Sequence, residues 1–334
     1  MKKILSLWLI ISVFSFSGGS LTTIKNNTEE VINIIGKGTY TCILCGLDDA
    51  AGNTDSIIVS SYNSVENCIS FIQIPRDSYY DFGTSQNKLN QLVPHYTSLG
   101  SSVKEGLVAL KDNLSDSLAI DVDCYVAFNT ASLENLIDLI GGVNIDVPFD
   151  ISGNDLQGNT VNISAGMQKL SGKEALVLIR HRSSYPLGDL SRIDMQKLFL
   201  CSILNDFFEG LDFNLAMKLL GMKDDGILFN VNLVELLTFT MKNLGRIKNA
   251  SLKFVTLPGA ALFDSRGISY YCVNKIATER LISELKFKTF KGFDANEKFL
   301  YNFNSNFRNI YFDDNIKYTI YTNEDIQLMK FITN

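Results

Sequence analysis

The chain has only two histidines in 334 residues, which leaves little scope for a metal centre built on imidazole. It also lacks any excess of positive charge. Thirty lysines and arginines stand against 36 aspartates and glutamates, a net charge of −6, and that balance argues against general nucleic-acid binding. No helix-turn-helix or zinc-finger spacing occurs, and no Walker A pattern. Gly36-Lys37-Gly38 lacks the third glycine of a dinucleotide fingerprint and reads as a flexible turn. What remains is an ordinary globular composition, 46% hydrophobic and 20% charged, in a chain long enough for one large or two small domains.

The N-terminus carries a targeting pattern. Lys2 and Lys3 precede an apolar run over residues 4–16, and Ser17-Gly18-Gly19-Ser20 follows. The run is short for a membrane-spanning helix and fits a signal-peptide core of roughly 7–15 residues. Small residues at Ser17 and Gly19 suit cleavage before Ser20; a helix continuing to Leu21 would instead leave an uncleaved anchor. No cysteine lies near the run, so a lipoprotein anchor is not expected. Either way, the rest of the chain is expected to work outside the cytoplasm, held at the cell membrane or secreted. An exported protein could pair its cysteines. Cys42, Cys45, Cys68, Cys124, Cys201 and Cys272 all sit in apolar segments, however, and the reading here is buried free thiols, which would suit a low-oxygen habitat.

Residues 21–38 read as a polar linker. Strand-like runs follow at 39–47, 56–62 and 68–74, with turn-rich segments between them. Helical patterns cover 101–113 and 132–140, the second stopping at Gly141-Gly142. Residues 124–128, 143–147 and 252–257 read as further strands, and 171–180, 189–209, 231–244 and 274–286 as further helices. This alternation predicts an α/β fold, an α-β-α sandwich with a central mixed β-sheet and helices on both faces. The tail over 287–334 is rich in Phe, Asn and Tyr and fits no clear periodicity.

Arginine is scarce, with eight in the chain. Three of them fall in RHRSSYPLGDLSRIDMQ (180–196). Arg180 and Arg182 end one apolar-periodic segment. After a short loop, Asp189, Arg192 and Gln196 recur at i, i+3 and i+7, on one face of a helix. Arginine suits planar, multidentate recognition of phosphate, so an acidic protein that gathers its arginines here is expected to bind an anion. The competing reading is a solvated helix surface, with Ser171 and Glu174 as a capping box and Asp189 as a helix cap. Asp48 and Asp55 flank a tight loop at the end of the first strand. Carboxylates so placed suit Mg²⁺, which takes one or two of them plus substrate phosphates; the alternative is turn chemistry. Arg76 follows the third strand, and Lys88 follows a loop.

Taken in order, these segments resemble the LytR–CpsA–Psr family. The matching stretches are CGLD (45–48), TDSIIV (54–59), IPRDS (74–78), KLN (88–90), LIDLIGGVNIDVP (136–148), GMQKLSGKEAL (166–176) and RHRSSYPLGDLSRIDMQ (180–196), with VTLPG (255–259) later. The resemblance implies an extracytoplasmic phosphotransferase. Its substrates would be an undecaprenyl-pyrophosphate-linked glycopolymer and peptidoglycan, joined by a phosphodiester bond at the membrane surface, with no nucleic-acid partner. It implies Mg²⁺, with Mn²⁺ as an alternative, on Asp48 and Asp55. It places the pyrophosphate on Arg76, Lys88, Arg180, Arg182, Arg192 and Gln196, with Arg76, Asp189 and Arg192 at the reaction centre. The division it implies is a signal peptide or anchor at 1–20, a linker at 21–38, a catalytic domain at 39–286 and a C-terminal extension at 287–334. A non-catalytic carrier-binding or regulatory protein would keep the arginines without needing the aspartates. A hydrolase of the same substrate would share every residue. Three departures stand out: Thr54 where the family often has arginine, a short loop between Asp48 and Asp55, and Met195 and Lys197 in place of Arg and a second Gln.

Overall fold

The first strand of the computed structural model, β1 (Thr39–Leu47), is buried on both sides. Tyr40, Cys42 and Leu44 enter one core, and Ile43, Cys45 and Leu47 enter the other. Side chains alternate along a strand, so a strand covered on both faces needs a nearly unbroken apolar run. The same holds for β2 (Thr54–Asn63) and β3 (Cys68–Ile74), which continue antiparallel. The structure describes residues 38–48, 52–181, 189–210, 226–231, 244–247, 249–290 and 297–328, and on the helix over 189–210 it describes the side chains of 192–206. The targeting segment, nearly all of the linker, Arg182 and most of the helix expected at 231–244 lie outside these residues.

Helices α1 (Leu92–Ser98) and α2 (Val103–Leu118) come next, the latter opened by a Ser102–Glu105 capping box. It runs five residues beyond the expected 113. Leu114 and Leu118 keep its apolar stripe buried, which outweighs the weak helix preference of the serines there, and Ala119 ends it in the left-handed conformation at φ 52°. Strand β4 (Cys124–Asn129) leads into α3 (Thr130–Leu139), which stops at Gly141 and Gly142, at φ 86° and 90°. A Cβ on Gly142 would sit 2.7 Å from the Leu170 carbonyl oxygen. Then come β5 (Val143–Val147), β6 (Ile151–Asn154), β7 (Thr160–Ile163) and β8 (Gly166–Leu170), paired as two small ribbons. Helix α4 (Gly172–Arg180) has the expected Ser171–Glu174 capping box, and α5 (Asp189–Gly210) follows.

Strand β9 (Ile227–Phe229), the short α6 (Leu244–Ile247) and β10 (Ser251–Thr256) lead to the hairpin β11 (Gly259–Phe263) and β12 (Ser269–Val273). Next are α7 (Lys275–Glu284), α8 (Ser305–Tyr311), β13 (Tyr321–Thr322) and α9 (Asn323–Gln327). The central sheet has seven strands among the described residues, in the order β13-β10-β3-β2-β1-β4-β9. It is mixed: β1 with β4 and β3 with β10 run parallel, and the other neighbours antiparallel. Residues of α3, α4 and α5 fill one core; those of α1, α2 and α7 fill the other. The α-β-α sandwich is therefore the observed fold. The tail without periodicity adds the edge strand β13, and Phe299, Leu300 and Tyr311 are buried in the second core. All six cysteines are buried, and none is in a disulfide.

Candidate functional site

The parallel strands β1 and β4 end at the same edge of the sheet, where β2 begins and β3 and β10 finish. Open α/β sheets bind ligands at the carboxyl ends of parallel strands. Asp48 stands there, one residue past β1. Its backbone N–H donates to the Asn53 carbonyl at 2.9 Å, and Asn53 Nδ2 donates to its Oδ2 at 2.8 Å. Across the turn, Gly46 pairs with Ser56 but Leu47 pairs with Thr54. Asp55 is therefore the extra residue of a β-bulge. A bulge re-aims a side chain, and here the re-aimed carboxylate meets Arg76: Arg76 Nη1 donates to Asp55 Oδ1 in an ion pair. Arg76 is delivered from the far side by β3, past Pro75.

Helix α5 supplies the next two groups. Arg192 is 2% exposed, and its Nη2 donates to the Asp55 backbone carbonyl at 3.4 Å. A charge held so far from water is costly unless it is matched. One turn on, Gln196 Oε1 accepts hydrogen bonds from Gln73 Nε2 and, at 3.5 Å, from Ser56 Oγ. Arg180 lies exposed in the last turn of α4, where the helix dipole favours a cation.

These groups rim one cleft of about 180 Å³, with Asp48, Asp55, Arg180, Arg192 and Gln196 among its lining residues. Its interior is apolar and includes Leu44, Ile58, Leu136, Leu176, Phe199 and Ile203. The arrangement has the polarity to suit an anion at the mouth and a hydrocarbon behind it. Two arginines and two aspartates line the mouth, and Arg76, paired with Asp55 from outside the lining, brings the arginines to three.

Six of the nine residues singled out from sequence thus converge: Asp48, Asp55, Arg76, Arg180, Arg192 and Gln196. Lys88 is not in the cleft lining; its Nζ pairs with Asp77 Oδ1 at 3.3 Å and lies 5.6 Å from the Tyr270 ring centroid. Asp189 opens α5, but its side chain, like all of Arg182, lies outside the described residues. Sequence reasoning does not single out Gln73 or Ser56. The available signal for Gln73 is a lone amide inside the apolar run CISFIQI, since a buried polar side chain needs a partner. Among the described residues no group of three or more His, Cys, Asp or Glu could hold a metal ion. Asp48 and Asp55 both line the cleft, and their carboxylate oxygens are the donor type that Mg²⁺ takes alongside water and substrate phosphate.

Fold and site together define an α/β protein with a cationic mouth above an apolar cleft, a class suited to amphiphilic anions. The chain belongs to the LytR_cpsA_psr family, whose model matches residues 12–287. It is 23% identical over 255 residues to the polyisoprenyl-teichoic acid–peptidoglycan teichoic acid transferase TagV of Bacillus subtilis (strain 168), covering 74% of this chain and 63% of that protein. The match therefore spans less than two thirds of that relative's length. The corresponding TagU of Enterococcus faecalis (strain ATCC 700802 / V583) is 23% identical over 275 residues, covering 79% of this chain and 84% of its own. The crystal structure of B. subtilis TagV superposes with a TM-score of 0.61 at 22% identity, covering 75% of this chain and 96% of that one. A structure of TagT bound to LI-WTA gives 0.58 at 21% identity, covering 75% and 90%. At this identity the solved structures establish the fold.

Proposed function

We propose that this chain is an extracytoplasmic transferase that moves a glycopolymer from a polyprenyl-pyrophosphate carrier to peptidoglycan. The observation that carries the reading is the cleft itself: an arginine-rich mouth and an apolar interior in one cavity, the polarity pattern of a lipid pyrophosphate. Membership in the family, and the names of relatives that transfer teichoic acid to peptidoglycan, point the same way. The N-terminal targeting pattern fits work outside the cytoplasm, either tethered to the membrane or released.

In this reading the arginines hold the two phosphates, Arg180 from the end of α4, Arg76 from the end of β3 and Arg192 from α5, with Arg182 and Lys88 assigned to the same set. Gln196 is fixed by Gln73 and Ser56, so it presents its amide without reorganising. An acceptor hydroxyl attacks the phosphorus that bears the glycopolymer. One P–O bond forms, the bridging P–O–P bond breaks, and the lipid phosphate leaves with the electron pair. Asp189, at the start of α5, is assigned the hydroxyl proton. Phosphoryl transfer of this kind depends mainly on positioning and charge stabilisation. Asp48 and Asp55 would hold Mg²⁺ or Mn²⁺, which supplies charge neutralisation at the phosphate oxygens.

The test is reconstitution of the purified chain with a lipid-pyrophosphate-linked glycan and uncrosslinked peptidoglycan, with products read by mass spectrometry. A phosphodiester-linked conjugate is expected. Glycan phosphate released to water, with no conjugate, would make the protein a hydrolase. Binding of the donor without any cleavage would make it a carrier-binding protein.

A further inference from the structure

Helix α5 has two lined faces. Arg192, Gln196, Phe199 and Ile203 face the cleft described above. Asp194 and Lys197 point away from it, as the helical period requires, and line a second cavity of about 260 Å³. Its other wall comes from the end of β10, at Thr256, from the stretch ahead of β13, at Tyr318, and from β13 itself, at Tyr321. Lys197 is 3% exposed. Its Nζ donates to Asp194 Oδ1 at 2.8 Å and to Thr256 Oγ1 at 2.6 Å, and lies 5.6 Å from the Tyr321 ring centroid. An ammonium has three N–H donors, and these two acceptors use two of them. Burial holds this ammonium below the ordinary lysine range, against the pull of Asp194. This cation, kept in so costly a place, does not line the lipid cleft.

A polar line joins the two cavities. Gln196 is the neighbour of Lys197 on α5 and accepts from Gln73. Gln73 is the register partner of Thr256 across β3 and β10. The two sites thus flank one helix at one end of the sheet.

We infer that the second cavity is the acceptor subsite, binding a sugar ring of the acceptor glycan through Lys197, Asp194 and Thr256. The inference rests on the transferase reading. In-line displacement puts the attacking and leaving oxygens on opposite sides of the phosphorus. The apolar cleft takes the lipid, and so the leaving phosphate, on one side of α5; the attacking hydroxyl then arrives from the side where the second cavity lies. The lining suits a polyhydroxylated ring. Lys197 and Asp194 largely cancel in charge while keeping donor and acceptor atoms, Thr256 adds a hydroxyl, and tyrosine rings offer an apolar face.

The test uses the full chain and a soluble disaccharide–peptide fragment of uncrosslinked peptidoglycan, titrated calorimetrically without donor. The wild type is expected to bind the fragment. Thr256→Val and Lys197→Met should weaken that binding at least tenfold, while affinity for a short-chain polyprenyl pyrophosphate stays within twofold. Thr256→Val, a near-isosteric change, carries the test if Lys197→Met does not fold. An unchanged fragment affinity in folded Thr256→Val would overturn the inference. So would parallel loss of donor affinity, which marks a framework role, or an effect confined to donors with longer glycans, which marks a donor-polymer site. Wild type that binds the fragment in this pattern yet never cleaves donor would contradict the transferase reading and leave the glycan site standing.

Discussion

Arg192 shows what a single side chain is asked to do. It is almost wholly buried, and the contact the structure gives its Nη2 is the Asp55 carbonyl. A lysine there would keep the charge and lose the planar fork. Loss of one charge-assisted contact costs about 1.5–3 kcal/mol, so Arg192→Lys is expected to lower transfer roughly ten- to hundredfold, with unchanged circular dichroism. A change below twofold would remove Arg192 from the site. Asp55→Ala should abolish any dependence of turnover on Mg²⁺ while the fold survives; equal Mg²⁺ dependence in the variant would exclude the proposed metal role. At the opposite end of the sheet Asp123 gives a pH prediction. It accepts the Thr41 N–H at 2.7 Å, and burial pushes its carboxyl up from 3.8 to about 6. A value raised in the folded state favours the protonated form. Its contribution is therefore fully present below about pH 3.8 and is lost as pH rises through about 6. Asp123→Asn is expected to be more stable than wild type by about 1–3 kcal/mol at pH 7.5, with the advantage gone at pH 4. Thermal unfolding at the two pH values checks this; an equal difference at both would contradict it.

The long elements are readable in the sequence because their periods are strong. Strands β1, β3 and β5 lie where their apolar runs place them, and α4 has the cap that Ser171 and Glu174 announce. The bulge at Asp55 is not readable. It depends on how β2 pairs with β1, a non-local property that TDSIIV does not encode by itself. Strands β6, β7 and β8 escape a sequence reading because each buries a single side chain, too little to leave a pattern. The two-residue β13 leaves none. Close packing between helices makes its own prediction. A Cβ on Gly172 would lie 2.3 Å from the Glu134 carbonyl oxygen of α3, a backbone atom that cannot swing aside. Gly172→Ala should therefore destabilise by about 1–3 kcal/mol. Gly245→Ala, where nothing lies within 4 Å, should be neutral or slightly stabilising. Equal unfolding midpoints for the two variants would show that α3 and α4 separate freely.

At the scale of the molecule, the sheet end gathers the charges and the α3–α4–α5 layer provides the hydrocarbon space behind them. The charged half is legible in the amino-acid sequence, through its residue types and their order along the chain. The apolar half is not, because cleft residues such as Leu136 and Phe199 look in sequence like any other core residue. Separating the halves is the consequence to test. Leu133 is half-buried on the cleft wall, and Leu133→Trp should narrow the cleft. It is expected to weaken a long-chain polyprenyl pyrophosphate at least tenfold and leave inorganic pyrophosphate within twofold. Parallel weakening of both would mean that the cleft does not hold the tail. The most direct measurement of the central claim compares dissociation constants for a polyprenyl pyrophosphate and the matching monophosphate, in wild type and in Arg192→Lys. Wild type is predicted to prefer the pyrophosphate at least tenfold, and Arg192→Lys to lose most of that preference. Equal affinities for the two ligands in wild type would contradict the account.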